Sequence, residues 1–319
     1  MLDKLKNYVP PCPDNWHGRH DSEMHERYYQ LIECVDIRNF HPETCHAQIA
    51  ILGFCSDEGV SRNQGRPGAK LGPKHLRDKL GSFTCQTTNQ IIDFGDIVCN
   101  KNDLETAQRE LASIVGFCHQ QALKLFIFGG GHETAWGHFQ GLTPHYSKIG
   151  IINFDAHFDI RSPVNEQGTS GTPFYQAKQW CDENNRAFDY CCLGIQETAN
   201  PAHLFERAFD WSVPFLSAEQ INQESFAWQT AFIDDFLLRQ NAIYLSICMD
   251  VFAECFAPGV SAPQSMGITP WQALPLLKYI VQTGKVISLD IVELSPPLDD
   301  GGKTARLAAK LAAELLNLL

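Results

Sequence analysis

The chain contains no apolar run approaching the ~18 residues that a membrane-spanning helix requires, and no pair of cysteines in the C-x-x-C spacing of a zinc ribbon. Positive charge is scarce. Against 37 Asp and Glu stand only 25 Lys and Arg, leaving a net charge of −12. That balance disfavours a nucleic-acid or anionic-membrane partner, whose phosphates are met by surplus Lys and Arg. The glycine triplet Gly129-Gly130-Gly131 is followed by His132 and not by Gly-Lys-Ser/Thr, so a P-loop reading is the weaker one. The opening MLDKLKNYVPPCPDNWHGR puts charges and prolines where a signal peptide carries its apolar stretch, and a cytoplasmic location is expected. The 12 cysteines show no framework spacing, and several (Cys34, Cys118, Cys191, Cys192) lie inside apolar runs, as small buried hydrophobes do.

What is present suits one large α/β domain. Its 319 residues are 44% hydrophobic, enough for a sizeable core. Continuous apolar runs predict strands at residues 47–54, 91–98, 124–128, 149–152, 190–195, 213–216, 242–249 and 286–292. Between them, helical patterns fall at 73–80, 104–123, 201–208, 225–239, 271–282 and 303–318. With no repeat and no linker, the alternation predicts a single doubly wound, mainly parallel sheet, residues 1–319 forming one domain. Residues 1–46, polar and rich in His and Pro, read as an N-terminal arm lying on the body or on a neighbouring subunit, with a helix-compatible stretch from Glu26 to Cys34.

In such sheets ligands bind at the carboxyl ends of the strands. Residues 153–161, NFDAHFDIR, directly follow one such end. An extended chain there points Asp155, His157 and Asp159 the same way. Two carboxylates and an imidazole suit a divalent ion of intermediate hardness, Mn2+ or Fe2+ before Ca2+, with Zn2+ also possible. The competing reading is a solvated strand end carrying a helix cap. His132 closes a second strand end, Cys248 and Asp250 a third, and Glu293 lies beyond Asp290 on the last strand. Six candidate ligands from three strand ends suffice for two metals about 3.5 to 4 Å apart, the geometry that generates hydroxide at neutral pH.

Taken in order, GGGHE, DAHFD and SICMDVFAECFAPG resemble the three signatures of the arginase/agmatinase (ureohydrolase) family, over nearly the whole chain from Ala47 onward. The combination of DEGVSRNQGRPGA, DAHFDIR, GTSGTPF and APGVSAP is most similar to the branch that hydrolyses N-formimidoyl-L-glutamate in histidine degradation. That resemblance implies a three-layer α/β/α fold, two Mn2+ per chain, hydrolysis of an amidine or guanidine C–N bond, and a homo-oligomer. It also implies the ligand sets. His132, Asp155, Asp159 and Cys248 would hold one ion; Asp155, His157, Cys248 and Asp250 the other. Cys248 departs from the family's usual Asp-x-Asp, and a thiolate favours softer metals than Mn2+. Asp159 is expected to pass a proton to the leaving nitrogen, a general-acid role that a metal-bound carboxylate can share, and the resemblance gives Glu293 the role of pairing with the cationic end of the substrate.

A substrate with two carboxylates calls for cationic recognition groups. Arg161 is the first candidate, Asn63 and Arg66 the next, with Ser170 and Thr169 as lesser contacts, because a guanidinium matches a carboxylate in bidentate fashion. Cys55 ends another strand, and a Cys55–Cys248 disulfide would remove a ligand, provided their Cα atoms lie within about 7 Å. Two alternatives stay open: another ureohydrolase acting on agmatine, guanidinobutyrate or arginine, and a metal-deficient relative that binds without catalysis.

Overall fold

A computed structural model describes residues 5–19 and 21–319, so positions 1–4 and 20 of the N-terminal arm lie outside the described residues. The strands are β1 Tyr8–Val9, β2 Ile32–Cys34, β3 Ile49–Cys55, β4 Ile91–Val98, β5 Lys124–Phe128, β6 Gly150–Phe154, β7 Asp189–Ile195, β8 Phe215–Ser217, β9 Ile243–Cys248 and β10 Val286–Val292. They form one sheet in the order β1-β4-β3-β5-β10-β9-β6-β7-β8, with β2 also pairing β4. Among these pairings only β1 with β4 is antiparallel. The stretch Glu26 to Cys34 resolves differently from the helical expectation. Only Tyr28–Leu31 is helical, and Ile32–Cys34 is a strand, because β4 offers its edge to be paired there.

Alternate residues of each strand enter different cores, as the two-residue period of a pleated strand dictates. In β5, Phe126 and Phe128 join one cluster with the helices Pro270–Gln282 and Lys303–Leu316, while Leu125 and Ile127 join another with Leu104–Gln120. The result is three layers, helices on both faces of the sheet. Strands covered on both faces read as unbroken apolar runs, which explains why they were visible in the sequence. Four adjacent central strands, β5, β10, β9 and β6, bring their carboxyl ends side by side. The arm joins the same body. Besides its two strands, Trp16 Nε1 donates to buried Asp93 at 2.9 Å, and Lys6 and Asn7 donate backbone N–H bonds to the Glu110 carboxylate at 2.9 and 2.8 Å.

Candidate metal centre

Each ligand candidate reaches the centre by a local device. After β5 the glycine triplet turns the chain sharply, and the close approach it permits is to protein, not ligand: a Cβ on Gly130 would stand 1.9 Å from the carbonyl oxygen of Ser56. His132 thereby drops below the surface, 1% exposed. Asp155 leaves β6 fully buried, Cys248 is the last residue of β9, and Asp250 lies in the single turn Met249–Val251. The stretch after Asp155 does not run extended as the alternation pattern suggests. Residues two apart on a strand are about 6.6 Å apart along it, too far for one ion. A bend at 156–157 and a left-handed Asp159, with φ of 50°, fold the segment back on itself. Non-glycine residues in that region carry strain, and Glu293 shares it with φ of 66°.

Two donor groups result: His132 with Asp155 and Cys248, and Asp155 with His157 and Asp250, the donor atoms of each lying within 4.8 Å of one another. Asp155 belongs to both. His132 Nδ1 lies 2.9 Å from Asp155 Oδ2 and 2.8 Å from Asp159 Oδ2, and His157 Nδ1 lies 3.4 Å from Asp155 Oδ1 and 3.1 Å from Asp250 Oδ2. Yet His132 Nδ1 makes no hydrogen bond of acceptable geometry, nor does Asp250 Oδ1. Nitrogen and oxygen donors crowded around a common point without satisfying one another are what a divalent cation requires. The residues fit the metal.

The electrostatics tell the same story. Burial, then the neighbouring Asp155, pushes Asp159 up to about 6 and raises Asp250 as well. Burial also raises the Cys248 thiol, with Asp155, Asp250 and Glu293 adding to it. For His132 and His157 burial opposes the imidazolium, but the surrounding carboxylates outweigh it and raise both well above the ordinary value. Burial likewise favours the neutral form of Asp155, yet its contacts with His132 and His157 hold it well below the usual carboxylate range. A site with this excess of negative charge takes up protons where a cation belongs.

The donors border a cleft of about 330 Å3, whose lining includes His132, His157, Asp159, Cys248, Asp250 and Glu293 together with Asn63, Arg66, Arg161 and Ser170. Glu293 accepts the backbone N–H of His132 at 2.8 Å through Oε1, while Oε2 has no partner. Among the described residues nothing answers the Arg161 guanidinium; its backbone is held by Gly171 at 2.9 Å, and a Cβ on Gly171 would touch both Arg161 and Asn63. Arg66 is a strut as well as a lining residue, donating to the carbonyls of Ser261 and Val260 at 2.9 and 2.8 Å.

Thr169 lies farther out than the other candidates, and one expectation, the Cys55–Cys248 pair, needs correction. Thr169 lines an adjoining outer cavity of about 500 Å3 that shares Asn63, Gln64 and Arg161 with the cleft, because its hydroxyl and amide are engaged in the turn to Gly171 and Thr172. Cys55 does not meet Cys248. Two strands, β5 and β10, separate β3 from β9, so at ~4.8 Å per strand the two residues stand about 14 Å apart, twice what a disulfide spans. The Cys55 thiol instead faces Asp96 and Arg77.

With this geometry in view, comparison with known proteins is decisive. The arginase family model matches residues 47–317. The chain belongs to the arginase family. Within that family it is 51% identical to the formimidoylglutamase of Legionella pneumophila (strain Paris), the match covering 99% of each chain, and 36% identical to that of Clostridium tetani, covering 98% of this chain and 96% of the relative. Its backbone superposes on Trypanosoma cruzi formiminoglutamase solved with Mn2+2, with a TM-score of 0.80, 25% identity and coverage of 92% and 97%. The Bacillus subtilis formimidoylglutamase structure gives a TM-score of 0.83 at 22% identity, 94% of each chain being covered, and supports the fold.

Sequence reasoning gave no role to the groups behind this arginase-family centre, although it noted Asp290 on the last strand. Ser246, Asp290 and His138, all fully buried, form a hydrogen-bonded set beneath His132. The available signal was a polar residue inside each apolar strand, Ser246 in IYLSIC and Asp290 in VISLDIV.

Proposed function

We propose that this chain hydrolyses N-formimidoyl-L-glutamate to L-glutamate and formamide with two Mn2+ ions. The observation that carries the proposal is one cleft whose lining holds both the donor groups that share Asp155 and the unpaired Arg161 guanidinium. His132, Asp155, Asp159 and Cys248 would hold one ion, and Asp155, His157, Cys248 and Asp250 the other. Ions bound there would supply Lewis-acid polarisation and an acidified water at neutral pH.

The protein's own groups do the rest. Arg161, with Asn63, takes a substrate carboxylate in bidentate fashion, and Arg66 and Ser170 complete that wall. Glu293 turns its free Oε2 toward the amidinium. Burial first, then Glu133 and Asp250, raises its pKa; an arriving cation offsets this and returns the group to its charged form. Asp159 delivers a proton to the departing glutamate nitrogen as its bond to the formimidoyl carbon breaks, and water supplies the oxygen of formamide. Thr169 holds the turn behind Ser170. The chain works as one unit over residues 1–319 with the 1–46 arm included, as a cytoplasmic homo-oligomer without nucleic-acid or membrane partners. Among the described residues no helix is long and apolar enough to cross a membrane.

The test is an assay of purified protein supplied with Mn2+. Glutamate and formamide from formimidoylglutamate, with no urea from arginine, agmatine or guanidinobutyrate, is the expected result. Urea release would move the chain to another branch of the family.

A further inference from the structure

Behind His132, away from the cleft, lies a chain of hydrogen bonds that the reaction scheme does not use. His132 Nε2 is 3.0 Å from Ser246 Oγ, and Ser246 Oγ donates to Asp290 Oδ1 at 2.6 Å. The other oxygen of Asp290 receives the Tyr244 hydroxyl and faces His138 Nδ1 at 2.7 Å. His138 Nε2 then meets Ser288 Oγ, which donates to the Leu125 carbonyl at 3.0 Å. His132 is 1% exposed, and the five groups from Ser246 to Ser288 are fully buried, so water cannot substitute for any link.

The direction of these bonds is fixed by donor counting. A hydroxyl has one proton, and an ionised carboxylate only accepts. Since Ser246 gives its proton to Asp290, it has only lone pairs left for His132, which must present N–H at Nε2. The imidazole nitrogen left free to ligate is then Nδ1, the atom that faces Asp155 and Asp159. Without Asp290, the Ser246 hydroxyl is free to swing round and donate to Nε2, which selects the tautomer with the proton on Nδ1, where the metal has to bind. His157 has no such backing: its Nε2 meets no protein group among the described residues, and its side chain is 22% exposed. We infer that the Asp290–Ser246 pair is a positioning element that sets the His132 tautomer, and that it governs the affinity of one of the two metal positions and not the other.

The inference rests on the two-ion reading of the cleft, and its readout is metal binding, independent of which amidine is hydrolysed. Full-length protein stripped with chelator is titrated with Mn2+, free ion being followed by electron paramagnetic resonance. The parent is expected to bind two ions; fewer would overturn the two-ion reading itself. Ser246→Ala is expected to weaken one site by about 10- to 100-fold and leave the other within about twofold, with kcat falling and KM for formimidoylglutamate little changed. Asp290→Asn gives a second handle. Its amide oxygen is drawn to the Tyr244 hydroxyl, which can only be met by an acceptor there, so its NH2 group faces Ser246 and reverses the hydroxyl; the same one-site loss is expected. Ser288→Ala, equally buried but beyond His138, is expected to bind both ions as the parent does. Unchanged affinity in Ser246→Ala and Asp290→Asn, or an equal loss in Ser288→Ala, overturns the assignment.

Discussion

Two buried charge clusters sit in this sheet, and they are built on opposite plans. On β4, Asp93 and Asp96 surround Arg77, which is 1% exposed: both Asp93 oxygens bond the guanidinium, at 2.8 and 2.9 Å, Asp96 takes a third bond at 2.8 Å and the Gly95 carbonyl a fourth at 2.8 Å. Trp16 and the Gly95 amide fill the remaining sites on Asp93. No buried side-chain atom of that cluster lacks a partner. At the carboxyl ends of β5, β6, β9 and β10, by contrast, four carboxylates, two imidazoles and a thiol have no Lys or Arg bonded to them among the described residues, and His132 Nδ1, Asp250 Oδ1 and Glu293 Oε2 are unanswered. A saturated buried cluster holds parts of a fold together; an unsaturated one has donors to offer to something that arrives.

The sharpest break in that contrast is Asp155→Ala, which removes the residue that joins the two donor groups and, with Cys248, would serve both ions. Activity is expected to fall on the order of 10³-fold, since several kcal/mol of transition-state stabilisation goes with the ions; bound Mn2+ measured by plasma mass spectrometry should fall with it. Arg77→Ala breaks the other cluster instead. Stability in guanidinium unfolding is expected to drop by ~3–5 kcal/mol, because two carboxylates lose their counter-ion, while the folded fraction keeps its Mn2+ affinity. Loss of metal affinity there would show that the two clusters are not separate. Added Mn2+ at ~100 times its dissociation constant should stabilise the parent by about 2.7 kcal/mol per site and Asp155→Ala hardly at all. Arg161→Ala, which touches only the recognition wall, is expected to raise KM by roughly 10- to 100-fold, the worth of a charged hydrogen-bonded contact of about 1.5–3 kcal/mol, with kcat nearly kept.

The smallest effect concerns pH in chelator-treated protein. Asp159, raised to about 6, and His132 and His157, raised above their ordinary value, bind more protons folded than unfolded. Each contributes stability that is complete below its unfolded pKa and lost as pH climbs through its folded one. Stability at this cluster should therefore decline as pH rises through 6 and beyond, and the stabilisation gained by adding Mn2+ should grow over the same interval, since protons and metal compete. Unfolding curves at pH 5.5 and 8, with and without Mn2+, test this; a Mn2+ effect independent of pH would contradict it.

Much of the centre was legible because its motifs are local. GGGHE, DAHFD and Cys248-Met249-Asp250 each close an apolar strand, and chemistry at strand ends is a property of the fold class. What the alternation in DAHFDIR concealed was its geometry: the residues converge through a bend and a left-handed Asp159, not through an extended run. The order of strands was equally hidden. Cys55 and Cys248 both end strands, and only the insertion of β5 and β10 between them removes the disulfide. The hydrogen bonds that hold Thr169 in its turn were hidden too, since a turn's own bonds leave no mark in composition.

By itself the sequence determined the layers, the strand ends and the donor types, since burial on both faces and metal chemistry are written in which residues occur and how they are spaced. Only the tertiary structure decided which strands stand side by side, and with that how the donors come together around Asp155, that Arg161 lines the same cleft unpaired, and that Asp290 and Ser246 lie behind His132. Those relations join residues from different strands and loops, as far apart as His132 and Ser246, which are separated by 114 positions. Pairing at that range is set by packing of the whole sheet, not by any local preference of the chain.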